Sequence, residues 1–216
     1  MTIEQIVKNY KTDRYKLYSD VYNNSKVSGL LGFSTYLDYF NAYLGYYASL
    51  DDTEKLIEHA VKGLFEYKFK LYIHPHQKIW RDTGGNEKGI REEVSAEVIN
   101  GILENSKALE KAIKTKEFAN LYEFIKKYKV HKFEGQDIYD TALRIGSKYG
   151  IFPKEVYLYG SSFIGLKTLE TKEIVKEGLS LKKTVPISEL PACFSDMQAM
   201  YIEDFFALKK VDIMKM

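Results

Sequence analysis

Apolar residues recur every three or four positions in at least five segments of the sequence, and this period most constrains the fold. In one segment aromatic residues carry the period, at Phe33, Tyr36, Leu37, Phe40, Tyr43, Leu44 and Tyr47. This spacing places them on one broad face of an α-helix, and such a face needs a core to cover it. The sequence therefore predicts an all-α fold, a compact assembly of about eight helices with at most one or two short strands.

Two of the predicted helices have recognisable bounds. The first covers residues 2–22, where Thr2 is a suitable N-cap. A long amphipathic helix begins at about residue 87 or 90 and ends at residue 114. A third helix opens at Asp51 or Asp52, and it either continues to about residue 72 or gives way near Lys68 to a short strand, FKLYI.

The length and the composition indicate one globular domain. The chain has 216 residues, of which 45% are hydrophobic and 29% are charged. This balance is typical of a folded protein and not of a disordered one. We therefore predict a single helical domain over residues 1–216, whose best internal boundary lies near residues 130–135, in the stretch VHKFEG.

The cysteine count and the lack of long apolar runs bear on the cellular compartment. Cys193 is the only cysteine, so no intramolecular disulfide can form, as is usual in a reducing compartment. The N-terminus has no apolar signal core, and no run has the length needed to span a bilayer. We expect a cytoplasmic protein without membrane contact, metal or cofactor. The oligomeric state stays open.

Charge and aromatic residues coincide in the middle of the chain. The whole chain has a net charge of +2, but residues 105–185 contain 16 Lys and Arg against 10 Asp and Glu, a net charge of +6. Tyrosine is abundant, with 18 copies, and several lie among the lysines of residues 105–170. Aromatic residues interleaved with lysines suit base stacking and backbone contacts. We therefore predict a binding module that contacts a protein or a nucleic acid through a surface rich in Tyr and Lys.

The segment from residue 74 to residue 91 supports an alternative, an enzyme acting on a phosphorylated or nucleic-acid substrate. It surrounds a Gly-Gly loop with five candidate binding residues, His74, His76, Trp80, Arg81 and Arg91. Arginine is rare in this chain, and its planar fork holds phosphate or carboxylate in two bonds. A structural interpretation also fits, with salt bridges for the arginines and an element end at His74. No residue here is assigned a catalytic role.

Two further candidate binding residues lie later in the chain, Arg144 and Lys167. Arg144 is another of the four arginines. Lys167 belongs to the stretch GSSFIGLKT, whose spacing is one residue too long for a nucleotide-binding loop, so we reject nucleotide hydrolysis. A helix that begins near Ser161 or Ser162 can still hold an anion at its free N–H groups.

Three blocks near the end of the chain occur in a characteristic order. They are GxDIYDTALRIG, PxxVYLYGSS and YIEDFF. In this order, over about the last 80 residues, the chain resembles an uncharacterised bacterial protein family, and this resemblance implies no activity.

Part of the same region, residues 135–153, is also similar to the helical core of helix-hairpin-helix DNA glycosylases. That resemblance implies a glycine turn at Gly135 that leads into a helix touching the DNA backbone. Val156 to Tyr159 stand where that family places its catalytic Asp, so the resemblance supplies no catalytic residue here.

We predict that any functional pocket includes Arg81 or Arg91, because both flank the Gly-Gly loop. Arg91 is expected in the first turn of a helix, where its positive charge opposes the helix dipole. An anionic ligand would offset that cost. We expect the single replacements Arg81→Gln and Arg91→Gln to reduce function and leave the melting temperature unchanged. A lower melting temperature, with function tracking the folded fraction, would mean structural salt bridges to Glu87 or Glu92 instead.

Overall fold

The computed structural model describes residues 1–22, 24–74, 80–81, 87–88 and 92–216. For residues 20, 24–28, 80–81 and 87–88 it describes the backbone alone. Statements about structure below refer to these described residues.

The prediction of a mostly helical chain is confirmed, but the count of about eight helices is too low. The described residues form ten α-helices, α1 Ile3–Thr12, α2 Tyr36–Ser49, α3 Thr53–Lys62, α4 Glu92–Glu104, α5 Ser106–Lys114, α6 Phe118–Lys126, α7 Gly135–Lys148, α8 Gly160–Thr171, α9 Ala199–Leu208 and α10 Lys210–Met214. The long helix expected to end at residue 114 is divided at Asn105 into α4 and α5. No helix of the described chain is long and apolar enough to cross a membrane.

The prediction of at most one or two short strands is wrong. The described strands are β1 Tyr15–Val21, β2 Asn24–Phe33, β3 Leu64–Tyr67, β4 Lys70–Ile73, β5 Trp80–Arg81, β6 Glu87–Lys88, β7 Glu155–Tyr157 and β8 Thr184–Pro186. Four of them form one sheet in the order β2-β1-β4-β3, and the others pair as β5-β6 and β7-β8. Every pairing is antiparallel.

The first predicted helix is half helix and half strand. The hydroxyl of Thr2 accepts a hydrogen bond from the backbone N–H of Gln5, so the predicted N-cap is confirmed. The helix ends at Thr12, where the chain becomes extended. Beyond it, Leu17 and Ser19 are buried, whereas Lys16 and Tyr18 are exposed. This alternation has the period of two that belongs to a strand with one covered face.

The contacts between residues divide the chain into two compact units. Unit 1 consists of Met1–Arg14, Ser34–Leu37 and Pro153–Met216, and unit 2 consists of Tyr15–Phe33 and Asp38–Phe152. Residues 130–135 lie inside unit 2. The single-domain organisation stays a prediction.

Unit 1 is built around the pairing of α8 with α9. The two helices approach closely at Gly165, where an added Cβ would lie 2.4 Å from the carbonyl oxygen of Phe206. Asp204 on α9 is buried, and its carboxylate accepts hydrogen bonds from the phenols of Tyr10, at 3.2 Å, and Tyr36. Burial, together with the Asp204 charge, raises the pKa of Tyr10 well above its ordinary value, so this phenol remains a donor.

Unit 2 packs α3 against α4 and α7, beside the four-stranded sheet. Its core is aromatic. The ring of Tyr43 lies 5.4 Å from that of Phe65 and 6.1 Å from that of Tyr39, and all three residues are buried. The predicted aromatic face of α2 is therefore buried in this core.

We predict that Gly146→Ala destabilises the protein, whereas Gly45→Ala does not. A Cβ at Gly146 in α7 would lie 2.3 Å from the carbonyl oxygen of Ile151, a backbone atom that cannot rotate away. Overpacking of this kind costs about 1–3 kcal/mol. Gly45 in α2 is exposed with no atom within 4 Å of an added Cβ, so alanine there gains about 0.5–1 kcal/mol. Urea unfolding followed by circular dichroism measures both changes, and equal effects would contradict the close approach.

Candidate functional site

Four of the seven predicted binding residues have side chains that the structure does not describe. His76 and Arg91 fall outside the described residues, and so does the Gly-Gly loop. Trp80 and Arg81 form β5, which pairs with β6, but only their backbone is described. The enzyme hypothesis, which depends on this segment, therefore stays a hypothesis.

His74 is a core residue of unit 2. It directly follows β4, and its backbone N–H donates to the carbonyl oxygen of Gly63 at 2.8 Å. The side chain is only 4% exposed. Its imidazole lies 4.3 Å from the ring of Tyr43 and 6.0 Å from that of Tyr39, measured between centroids. This position suits packing in the aromatic core.

Arg144 is also buried in unit 2, with 1% of its surface exposed. Its Nε donates to the hydroxyl of Tyr43, its Nη1 donates to the carbonyl oxygen of Ala60 at 2.7 Å, and its Nη2 lies 3.5 Å from Oδ2 of Asp140. Burial raises the pKa of Tyr43 to about 12 although Arg144 opposes the rise, so the phenol is neutral at physiological pH. The guanidinium is therefore occupied within the core and does not reach a partner at the surface.

His74 and Arg144 are brought together, since both contact Tyr43. They meet as packed core residues and not as the walls of a pocket, because both are almost fully buried. The rarity of arginine in the sequence favoured a binding role for Arg144. In the structure Arg144 contacts three acceptors within unit 2. Its planar guanidinium has enough donors for all three in a fixed geometry, which the ammonium of lysine does not.

Lys167 lies in unit 1 on α8, with its side chain 48% exposed. Its ammonium lies 2.6 Å from Oε1 of Glu170, and the other oxygen of that buried carboxylate accepts the backbone N–H of Ser180 at 2.8 Å. The Lys167 hydrogen bond, assisted by that of Ser180, lowers the pKa of Glu170 to about 2. Lys167 also borders a shallow depression of about 310 Å³, lined by Phe163, Ile164, Thr168, Thr171 and Met214.

Half of the tyrosines of residues 105–170 are too buried to contribute to the predicted surface, whose binding role stays a prediction. Tyr122, Tyr139 and Tyr157 are buried, and the others in this range are half-buried. The lysines of the same region are mostly exposed. The exposed part of this region is therefore rich in lysine, and it suits ionic contacts with an anionic partner.

The most regular part of this surface is on α5. Leu109 and Ala112 are buried there, and Lys107, Lys111 and Lys114 are exposed. We call these three residues the α5 lysine face. Their spacing of four and three residues places them on one side of the helix. None of them forms an ion pair with a carboxylate among the described residues.

Neighbouring lysines are partly neutralised. Lys126 on α6 lies 2.8 Å from the carboxylate of Glu123, and Lys129 lies 3.8 Å from that of Glu134. Residues 105–134 nevertheless contain eight Lys against four Glu, with no Arg or Asp, which gives a net charge of +4. The α5 lysine face could have been predicted from the sequence, because its lysines have helical spacing opposite apolar positions. Counting the total charge of the region does not show this spacing.

Comparison with known proteins identifies no relative: no family model, no curated protein and no solved structure matches this chain. The resemblances to a bacterial family and to the DNA glycosylase core stay predictions. Within the part of the chain that the structure describes, no three His, Cys, Asp or Glu residues are grouped in a way that could hold a metal ion.

We predict that Glu170→Gln removes a pH-dependent part of the stability. The pKa of Glu170 is lowered in the folded state, so its contribution is complete above the unfolded pKa of about 4.5 and is lost as the pH falls towards about 2. Urea unfolding between neutral and acid pH should show a difference between wild type and variant that shrinks through this window. Glu177→Gln, at an exposed carboxylate, is the matched control. A difference independent of pH would contradict the assignment.

Proposed function

We propose that this protein is a binding module that contacts nucleic acid through the α5 lysine face. The observation that carries the proposal is the row of three exposed lysines without ion pairs among the described residues. Like charges three and four residues apart on a helix repel each other and destabilise it. A polyanion laid along the helix would relieve this repulsion.

The dimensions of the α5 lysine face suit a phosphate backbone. A helix rises about 1.5 Å per residue, so about 10 Å separates Lys107 from Lys114 along the axis. Each strand of a duplex presents about one phosphate per 3.4 Å of axis. The face therefore has the length to meet two or three phosphates. Glu110 lies beside the lysines, and it reduces the net charge of α5 from +3 to +2.

The expected binding is independent of base sequence in this region. Lysine contacts phosphate as a point charge and carries no base information, and no tyrosine lies on α5 itself. The net charge of the whole chain is only +2. The attraction is therefore local to this surface, and affinity should depend steeply on salt.

The alternative of an enzyme acting on a phosphorylated or nucleic-acid substrate stays a hypothesis. It depends on the segment from residue 74 to residue 91, most of which lies outside the described residues. A protein partner with an acidic surface is the other alternative, and the salt dependence of oligonucleotide binding separates it from the proposal.

We predict that the triple variant Lys107→Gln, Lys111→Gln and Lys114→Gln binds nucleic acid more weakly, with a shallower salt dependence, and keeps its fold. For a single strand, log affinity falls with log salt by about 0.7 per phosphate contact, so the loss of three contacts makes this slope less negative by about 2. Fluorescence anisotropy of a labelled oligonucleotide over a range of salt measures the slope. Circular dichroism checks the fold.

The control is the variant Lys8→Gln, Lys16→Gln and Lys176→Gln, which changes three exposed lysines outside α5. Both variants lower the net charge by three, from +2 to −1. The control should retain the wild-type slope. Equal losses in both variants would mean that only total charge matters. No binding by wild type at low salt would overturn the proposal in favour of a protein partner.

A further inference from the structure

The hairpin formed by β3 and β4 ends in an unusual turn. The last pair of the ladder is Tyr67 with Lys70, so Lys68 and Phe69 alone form the loop. Their φ angles are 49° and 63°, both in the left-handed region. Two-residue hairpin loops of this kind favour Asn-Gly or Asp-Gly, because left-handed backbone is unfavourable for larger side chains. A phenylalanine in the second position works against the stability of the hairpin.

Phe69 gives no packing in return for this strain. It is 98% exposed, the most exposed of the large apolar residues described. The hairpin is packed instead through residues such as Phe65 and Tyr72, which are directly paired in the ladder and are both buried. The ring of Phe69 is therefore held out in solvent at the end of a hairpin that is fixed in the sheet.

Phe69 has a lysine on either side in the sequence. Lys68 and Lys70 are both exposed, and the ammonium of Lys68 lies 5.3 Å from the centre of the Tyr67 ring. The tip of the hairpin therefore carries one exposed aromatic ring and two exposed lysines at consecutive positions. An aromatic ring with cations nearby in the chain suits a partner that combines flat apolar groups with negative charge.

We propose that Phe69 stacks on an unpaired base of single-stranded nucleic acid while Lys68 and Lys70 contact the neighbouring phosphates. This inference rests on the proposed function for the class of partner, but it uses a different surface. One ring covers the face of one base, and stacking of this kind tolerates any sequence. An anionic membrane is less suitable, because a single apolar anchor gives only marginal binding to a bilayer.

Stacking on Phe69 requires a base, whereas the α5 lysine face contacts only the phosphate backbone. The α5 lysine face attracts the phosphates of any strand, paired or unpaired. A base can stack on Phe69 only where it is not already stacked within a duplex. The protein should therefore prefer single strands over duplexes, and the preference should depend on Phe69 and not on α5.

The test compares wild type with Phe69→Gly by fluorescence anisotropy. The probes are a labelled thymidine oligonucleotide and an abasic oligonucleotide of equal length. Wild type should bind the thymidine strand more tightly than the abasic strand. Phe69→Gly should bind the thymidine strand about fivefold or more weakly than wild type does, which corresponds to the loss of one base stack. This variant should bind both strands equally. Glycine suits the turn, so the melting temperature of this variant should equal or exceed that of wild type. Phe69→Trp should retain the preference.

Phe163→Ala is the matched control, since Phe163 is a partly exposed phenylalanine on α8. It should leave the preference for bases intact. Equal binding of both strands by wild type overturns the stacking proposal and leaves the α5 contact standing. The α5 contact is tested separately by the weaker binding and shallower salt dependence of the triple lysine variant. Binding to vesicles containing phosphatidylserine that is lost in Phe69→Gly, without a base preference, would identify a membrane and overturn the inference.

Discussion

The packing of unit 2 depends on the buried guanidinium of Arg144. An arginine stays charged inside a protein, so its donors need acceptors wherever it is buried. Those acceptors come from three helices, with Tyr43 on α2, the carbonyl oxygen of Ala60 on α3 and Asp140 on α7. The Ala60 carbonyl is among the last four of α3, which have no partner within their own helix. Arg144 therefore completes the end of α3, where a positive charge is also favoured by the helix dipole.

The tyrosines extend the same principle through both units. A buried phenol brings apolar surface and one hydroxyl, and the hydroxyl needs a partner. Tyr10 and Tyr36 donate to Asp204 in unit 1, and the hydroxyl of Tyr46 lies 2.5 Å from Nδ1 of His59 in unit 2. Several tyrosines thus find a hydrogen-bond partner within their own unit. Lysine is the commonest exposed residue on α5 and α6.

The helices could be predicted because their apolar period persists over several turns, as in α2. The sheet could not be predicted equally well. β1 follows α1 so closely that the helix predicted over residues 2–22 continues into the strand, because Tyr15 and Tyr18 fit the helical period of α1. The loop of Lys68 and Phe69 lacks the glycine or asparagine that usually identifies a hairpin. Short strands without a recognisable turn sequence between them leave only a weak local signal.

The candidate site was predicted only in its general location. The basic character of residues 105–170 follows from counting charges, and the exposed lysines of α5 lie within that range. Arg144 is a candidate because arginine is rare in this chain, and His74 is one because it lies near the Gly-Gly loop. Neither reason distinguishes a residue that binds a ligand from one that packs in the core. Burial separates these two cases, and burial depends on contacts far along the chain. Arg144 and Tyr43, for example, are 101 positions apart.

The order of segments in the two units has a consequence for synthesis on the ribosome. Unit 1 joins the first helix to residues near the other end of the sequence, and the Tyr10–Asp204 hydrogen bond spans 194 positions. All of unit 2 is translated before Pro153, so its segments can assemble while the rest of unit 1 is still being made. During that interval α1 emerges with Ile3, Ile6, Val7 and Tyr10 uncovered, the residues that are buried in the finished fold. The apolar face of α1 therefore has almost no covering partner from unit 1 until residues 153–216 are made.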